Sequence, residues 1–587
     1  MSPARVFRNS GARTAAVIGL AAAFVVAVDL ARWIGPWLLL DPDRSWALPR
    51  IALGLAVFAA AAAAGVLAAS AFRAFLRSDL AAQPLEPLPL SRRALAVVAA
   101  AALVVGIAAR AVCIGTLPFP FLEDEVNLVT PALALTGAPR DFADAILPIP
   151  LGRPDPHEMI GVAYLELLRA SLHVFGTTIT GLRFPSLLAG CLSLLTAGLL
   201  VRALLPEGGG MAAILVLAGL RWHAILSLSG WHAILIAPVV DLATLLLLRA
   251  RRRSQWGAAV ASGAVMGIGP HFYLASWAAA AALAAFAVWP PAPAPRRRLL
   301  AFLAGFALTV APLFVFAQGR RVPYFGRSSR HNLLREIRYQ KSLLPAFSVV
   351  ADALPAPWLI HEPQARHDLT DRSRLGTIVG ALLAVGLARA LARPREELSA
   401  LLLLHAGTAG AAAVAGGTAG HPNGFRFGYL TSPAALAAAA GLLAVVGLFP
   451  QKRRRAAAIA LLGLVAVSGA VGLRDAIGVW PFRRATFDSF RGEDTLLGQT
   501  AARWGRYGEV RVEAGLGRSD LTIETVNRYA LDPDAPAGPS DVSVPPRFFQ
   551  LRARGTSPSP GQRLVESVRD SWGREWAVVL GSRGTAP

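Results

Sequence analysis

Apolar stretches long enough to cross a bilayer recur through the first 473 residues, and they constrain this 587-residue chain more than anything else in it. A helix of roughly 18 to 22 apolar residues reaches across the hydrocarbon. About 13 windows meet that length. They lie near 14–34, 51–71, 94–114, 182–204, 210–228, 231–249, 256–274, 275–290, 299–317, 376–392, 398–416, 428–449 and 455–473. An aqueous domain has no interior for so much apolar chain. The composition agrees, with 55% hydrophobic and 16% charged residues, against about 25% charged in an ordinary soluble domain. A disordered protein, a coiled coil and a typical cytosolic enzyme are excluded. The expected fold is an all-α polytopic membrane protein.

The charges orient it. The net charge is +22, from 58 basic and 36 acidic residues, and lysine occurs only at Lys341 and Lys452. Cytoplasmic loops collect basic residues. With Arg5, Arg8 and Arg13 inside, alternation of the windows also places Arg73, Arg77, Arg92, Arg93, Arg251–Arg253, Arg296–Arg298, Arg393, Arg395 and Lys452–Arg455 inside. The outer loops are then 115–181, 318–375 and 417–427. Loop 318–375 is itself rich in arginine, but long translocated loops escape the rule. The arginines are read as topogenic and lipid-facing, and nucleic acid is not an expected partner. The first window follows a basic stretch without a small-residue cleavage site, so it is expected to stay as an anchor.

Three regions follow. Residues 1–93 hold two transmembrane helices and a linker, and 94–473 hold the main transmembrane unit. Residues 474–587 carry 16 arginines against 14 acids and are nearly neutral. There Val510–Glu513 alternates and Trp576–Leu580 is a short apolar run, both strand signals. This tail is expected to be a small α/β extracytoplasmic domain. Cys113 and Cys191 both fall in apolar runs and read as small core residues. The chain has no GxxxxGK[ST], HExxH, GxSxG or CxxC, which removes the sequence case for ATP-driven transport and for the common hydrolases.

The most informative segment is Glu123-Asp124-Glu125, only about eight residues beyond a window and on the outer side. Acids this close to the hydrocarbon are costly unless used or paired. Three readings stand. One is a general base toward a hydroxyl or amine. One is a divalent-cation site. One is a helix N-terminus, where acids favour the dipole. Residues 158–176 then form an amphipathic segment too polar to span, ending at Gly176, which would lie along the membrane surface. Arg183-Phe184-Pro185-Ser186 opens the next window.

That order resembles the GT-C superfamily of integral-membrane glycosyltransferases, most of all glycosyltransferase family 39 with its protein O-mannosyltransferases and aminoarabinose transferases. The family carries an Asp-Glu pair in the first outer loop of its core, a surface helix ending in Phe-Gly, and an Arg-x-Pro-Ser start to the next span. Here these are Asp124-Glu125, Phe175-Gly176 and Arg183 to Ser186. Gly267 to Tyr273, Pro323 to Arg327 and Gly424 to Leu430 are similar to later family elements, in order. The likeness covers roughly 94–473. Asn127 stands where the family often has an aromatic, and His271 where it has the first tyrosine of a Tyr-x-Tyr.

The resemblance implies a GT-C fold with interfacial helices in the first large outer loop. It implies a cell-envelope enzyme of the bacterial inner membrane, multi-pass, with a cytoplasmic N-terminus. The donor would be a polyprenyl-phosphate sugar, transferred with inversion to a protein, lipid or glycan acceptor on the outer face. Asp124 would be the general base, with Glu125 supporting it by orientation or by tuning its pKa. Arg426, Arg327, His271 and Tyr273 would hold the donor phosphate. Several arginines near Arg327 offer the same chemistry, and membrane lipids are partners of the whole surface. His223 and His232, beside Trp222 and Trp231, read as an interfacial aromatic belt. His157 and Glu158 with Asp155 make too thin a ligand set for a metal, so no metal site and no cofactor is expected. The competing reading is a transporter or lipid flippase, whose sites sit near the bilayer midplane. A membrane scaffold and an oligosaccharide ligase or polymerase are further alternatives.

Overall fold

The computed structural model describes residues 84–115, 117, 123–126, 128–134, 149–150, 159–160, 162–290, 294–319, 333–341, 365–415, 424–506, 509–513, 516, 548–560 and 562–582. The windows at 14–34 and 51–71 lie outside the described residues.

The helices follow the apolar windows. They run α1 (Arg92–Cys113), the short α2 (Glu123–Val126) and α3 (Val129–Ala134), α4 (Val162–Phe175), α5 (Ile179–Leu204), α6 (Gly209–Gly219) and α7 (Arg221–Leu228). A 3-10 turn, His232–Leu235, leads into α8 (Ile236–Arg253), then α9 (Trp256–Phe272), α10 (Ser276–Val288) and α11 (Pro295–Gly319). Next come α12 (Thr377–Ala392), α13 (Glu397–Ala415), a 3-10 segment Gly424–Leu430, α14 (Thr431–Gly447) and α15 (Gln451–Arg474). Among the described residues, six helices are long and apolar enough to cross a membrane, or up to eight if each bent pair counts as one span.

One span per window is therefore too simple. The window 210–228 breaks at Leu220, where α6 and α7 meet at 57°. Windows 376–392 and 398–416 form a pair bent by 110°. α9 has 17 residues, at the lower limit of a crossing, and α10 has 13 and falls short of one. Hydropathy measures apolar length and is blind to a bend at a single residue such as Leu220.

Small residues bring the helices together, as they do wherever lipid removes the hydrophobic drive for association. α9 and α11 pack so closely that a Cβ on Gly263 would fall 1.9 Å from the Phe302 carbonyl oxygen. α14 is almost wholly interior, its alanines from Ala435 to Ala440 all buried.

After α15 the chain builds a small α/β unit from α16 (Gly492–Gly505) and a four-stranded sheet: β1 (Glu509–Val512), β2 (Phe548–Ala553), β3 (Gln562–Arg569) and β4 (Glu575–Ser582). The sheet order is β1-β2-β4-β3, with β1 parallel to β2 and the other pairs antiparallel. Trp504 of α16 packs on Phe549, Leu551 and Val579 of the sheet. Both strand signals thus fall in strands. Trp480 and Phe490 join this unit to the bundle by packing with Leu369 and with Ala224 and Ile225 of α7.

Candidate active site

The acidic segment folds as α2, and its last acid is sealed inside the protein. Glu125 has no exposed surface, and it meets the equally buried Arg183 of α5 in two prongs. Arg183 Nε lies 3.3 Å from Oε1 and Nη2 lies 3.1 Å from Oε2. Oε1 also accepts the backbone N–H of Gly230. The Gly230 carbonyl in turn accepts from the Tyr164 hydroxyl at 3.2 Å. An ion pair this dry holds only when its other polar atoms are also satisfied, and Gly230 supplies one such bond. A Cβ on residue 230 would sit 3.1 to 3.3 Å from Glu125 side-chain atoms, so glycine is what lets the backbone approach.

Local sequence explains why Arg183 arrives there. The surface helix α4 buries Tyr164, Leu165, Leu168 and Leu172 on one face, a helical spacing. It stops at Gly176, whose φ of +73° suits a residue without a side chain. Thr178 then caps α5 by accepting from the Gly181 N–H at 3.1 Å. Pro185, inside α5, has no N–H to give the carbonyl four residues earlier. That carbonyl, on Gly181, accepts instead from Ser171 Oγ at 2.6 Å. The proline's missing bond thereby ties α5 to α4, with Arg183 between the two points. Ser186 Oγ donates to the Trp231 carbonyl at 3.0 Å and fixes the opposite strap of chain.

Beside this clamp stands an aromatic wall. His232 lies 5.2 Å from Tyr164, 4.7 Å from Trp231 and 5.2 Å from Tyr273, centroid to centroid. Burial first, and then the Glu125 carboxylate, raise the Tyr164 phenol above its ordinary pKa. Tyr164 therefore remains a hydrogen-bond donor at all physiological pH.

The residues expected at the site are distributed as follows. Asp124 sits in α2 immediately before the clamped Glu125. Glu125 is an anchor, enclosed by Arg183, Gly230 and Tyr164, not a group facing an open site. Tyr273 joins the aromatic wall. His271 does not: it is buried on α9, and its Nε2 bonds the Thr309 carbonyl of α11 at 2.9 Å. Two residues apart on a helix point in opposing directions, and Tyr273 lies just past the helix end. Arg426 belongs to the 3-10 segment Gly424–Leu430, which packs on the turn His232–Leu235 and so comes to the same end of the bundle. Arg327, His157, Glu158 and Asp155 lie outside the described residues. Among the described residues there is no group of three or more His, Cys, Asp or Glu placed to hold a metal ion.

The aromatic-belt reading of His223 and Trp222 is corrected. Both are buried in the bundle. His223 Nδ1 pairs with Arg110 Nη2 at 2.9 Å and Nε2 with Ser193 Oγ at 2.6 Å, so it is an internal tie among α1, α5 and α7. Sequence reasoning also missed Gly230 and Tyr164 as parts of the clamp, and it named Arg183 only as part of a motif.

Residues 160–317 match the family model of dolichyl-phosphate-mannose-protein mannosyltransferases. The match covers 158 of the 587 residues. The matched stretch contains Arg183, Gly230, Trp231, His232 and Tyr273, which is the scaffold around Glu125, and α2 precedes it. No curated protein sequence matches. Among solved structures, the Archaeoglobus fulgidus oligosaccharyltransferase tethered with an acceptor peptide is 14% identical with a TM-score of 0.44, over 76% of this chain and 60% of its own. The archaeal AglB of the same organism, in complex with an inhibitory peptide and a dolichol-phosphate, is 13% identical with a TM-score of 0.44, over 74% of this chain and 63% of its own. This chain therefore spans less than two thirds of either archaeal protein. ArnT from Cupriavidus metallidurans, bound to undecaprenyl phosphate, is 12% identical with a TM-score of 0.44, over 85% of this chain and 99% of its own.

Proposed function

We propose that this multi-pass membrane protein is a glycosyltransferase. In this reading it moves a sugar from a polyprenyl-phosphate-linked donor to an acceptor on the outer face, with inversion at the anomeric carbon. The observation that carries the reading is the coincidence of the family match with the residues that clamp Glu125. The matched segment supplies Arg183 and Gly230, and what they hold still is the residue next to Asp124.

The chemistry asks for three things. The acceptor hydroxyl or amine attacks the anomeric carbon and must lose a proton, and Asp124 takes it as general base. The bond from that carbon to the phosphate oxygen breaks, and the polyprenyl phosphate leaves with the electron pair. Arginine forks away from bulk water stabilise that charge, and Arg426 and Arg327 are the residues assigned to it. Third, the sugar needs a surface. Trp231, His232 and Tyr273 offer apolar ring faces with polar edges, which suits a pyranose or furanose ring. Glu125 acts through position, holding α2 by its bond to Arg183. His271, bonded to Thr309, is left out of the phosphate site. The N-terminus is cytoplasmic in this reading, the tail extracytoplasmic and the membrane the inner one. No cofactor is invoked.

The test is transfer in vesicles that contain a polyprenyl-phosphate sugar and extracts of the cell envelope as acceptor. Asp124→Asn abolishes transfer, by at least about 100-fold, while the protein still inserts and melts as the parent does. Transfer by that variant at the parental rate would remove Asp124 as the base. Glycan and lipid profiles of a deletion strain identify the acceptor.

A further inference from the structure

A second buried carboxylate lies inside the helix bundle, and the transfer chemistry makes no use of it. Asp241 stands in the second turn of α8 and has no exposed surface. It interrupts a stretch, His232–Arg253, that is apolar enough to cross a membrane. Ionisable side chains at such places are costly and are kept where they are used. Its Oδ2 accepts from two hydroxyls on two other helices, Thr196 Oγ1 of α5 at 2.9 Å and Ser432 Oγ of α14 at 3.0 Å. Ser432 is buried and Thr196 half-buried. Oδ1 is buried too, and it has no hydrogen-bond partner among the described residues.

The two buried acids of the bundle are thus treated differently. Glu125 meets Arg183 in two prongs, whereas Asp241 meets only neutral hydroxyls, and no Arg, Lys or His among the described residues pairs with it. Two hydroxyl bonds do not offset the desolvation of a carboxylate, so its charge has to be cancelled. A proton cancels it but creates a new orphan. Oδ2 already takes both hydroxyls, since the other acceptor near Thr196, the Ser193 carbonyl, is farther away at 3.4 Å. The proton then falls on Oδ1 and finds no acceptor among the described residues, an arrangement that folded interiors avoid. A metal cation uses the same atoms better. A hydroxyl that donates to Oδ2 keeps its own lone pairs. Thr196, Ser432 and the two carboxylate oxygens therefore offer four oxygen ligands to a hard ion.

We propose that Asp241, Thr196 and Ser432 bind a sodium ion. One charge of each sign cancels, whereas a divalent ion would leave a net positive charge in the bundle interior. Hydroxyl oxygens 2.9 and 3.0 Å from a single carboxylate oxygen frame a small ion rather than potassium. The site joins three helices whose starts matter. α5 carries Arg183 near its start, α8 follows the turn that holds His232, and α14 follows the 3-10 segment that holds Arg426. An ion shared by the three fixes these starts relative to one another. On the glycosyltransferase reading, on which this last consequence rests, it keeps the sugar surface and the assigned phosphate ligand in register.

The full chain, purified in detergent, is melted in sodium, potassium and choline chloride at one ionic strength. Sodium is expected to raise the melting temperature of the parent in a saturable way, and potassium and choline far less. Asp241→Asn keeps the shape, removes the charge and is expected to abolish the sodium response. Ser432→Ala keeps the charge and removes one oxygen, so the sodium concentration at half effect should rise about tenfold. That variant decides the matter if Asp241→Asn does not fold. Equal melting of the parent in sodium and in choline overturns the proposal and leaves Asp241 a neutral acid. So does an equal response to potassium, a sodium response that survives in folded Asp241→Asn, or an unchanged half-effect in Ser432→Ala. The melt does not depend on sugar transfer, so its failure is distinguishable from a failure of the glycosyltransferase reading.

Discussion

Glu125 and Arg183 are 58 residues apart in the chain and meet as a two-pronged ion pair from which solvent is excluded, at 3.1 and 3.3 Å. Removing one member of such a pair leaves the other charged and buried. Glu125→Gln and Arg183→Gln are each expected to destabilise the protein by about 3–5 kcal/mol. The double variant should lose clearly less than the sum of the two. Thermal melts of the purified chain in detergent measure all three, and additive losses would mean that the pair is not coupled.

The bond between Ser171 and the carbonyl that Pro185 leaves open makes a sharper test. Ser171→Ala should cost about 1–3 kcal/mol, because the Gly181 carbonyl stays buried without a donor. In Ser171→Ala combined with Pro185→Ala, the new N–H at 185 restores the helical bond and most of the loss disappears. If the double variant is no more stable than Ser171→Ala alone, the compensation is not real.

Gly230 allows its backbone to touch Glu125. Gly230→Ala adds a methyl at 3.1 Å from Oε1 and must push the carboxylate or the strap away. Strain of this kind costs about 1–3 kcal/mol. Sugar transfer should fall further than stability does, since the displaced group is the anchor of α2. Parental transfer by a correctly folded Gly230→Ala would separate the clamp from catalysis.

The tail unit has its own pH dependence. Burial raises the Asp570 carboxyl, but hydrogen bonds outweigh it: Arg574 Nε at 2.6 Å, the Trp572 and Arg574 backbone N–H groups each at 2.9 Å, and Trp576 Nε1 at 3.2 Å. The net pKa is below the ordinary carboxylate value. A depressed pKa contributes stability that is complete above the unfolded value, about 3.9, and is lost as pH falls through the folded one. Tryptophan fluorescence of the full chain on acidification should report loosening around Trp572 and Trp576 below about pH 4. Asp570→Asn should remove that step.

Much of this was legible in the residues. Apolar length predicted the helices from Arg92 to Arg474, and alternation at Val510 and a short apolar run around Val578 predicted the strands that contain them, because these signals are carried within a few residues of chain. The motif order pointed to Asp124, Glu125 and Arg183 before any helix was in place. What could not be read was which partner each polar group would meet. His223 stands beside tryptophans in sequence yet bonds Arg110, 113 residues upstream. His271 and Tyr273 are neighbours in sequence, but only Tyr273 reaches the aromatic wall.

The sequence by itself determined that the chain lives in a membrane, and the order of its motifs named which acid to suspect. The first follows from transfer free energy, which sums over local stretches, and the second from the resemblance alone. The tertiary structure alone decided that Glu125 is an anchor, that α6 and α7 break at Leu220, and that Gly230 closes the clamp. A buried charge takes its role from whatever long-range packing brings within about 3 Å, and no property of its own segment specifies that.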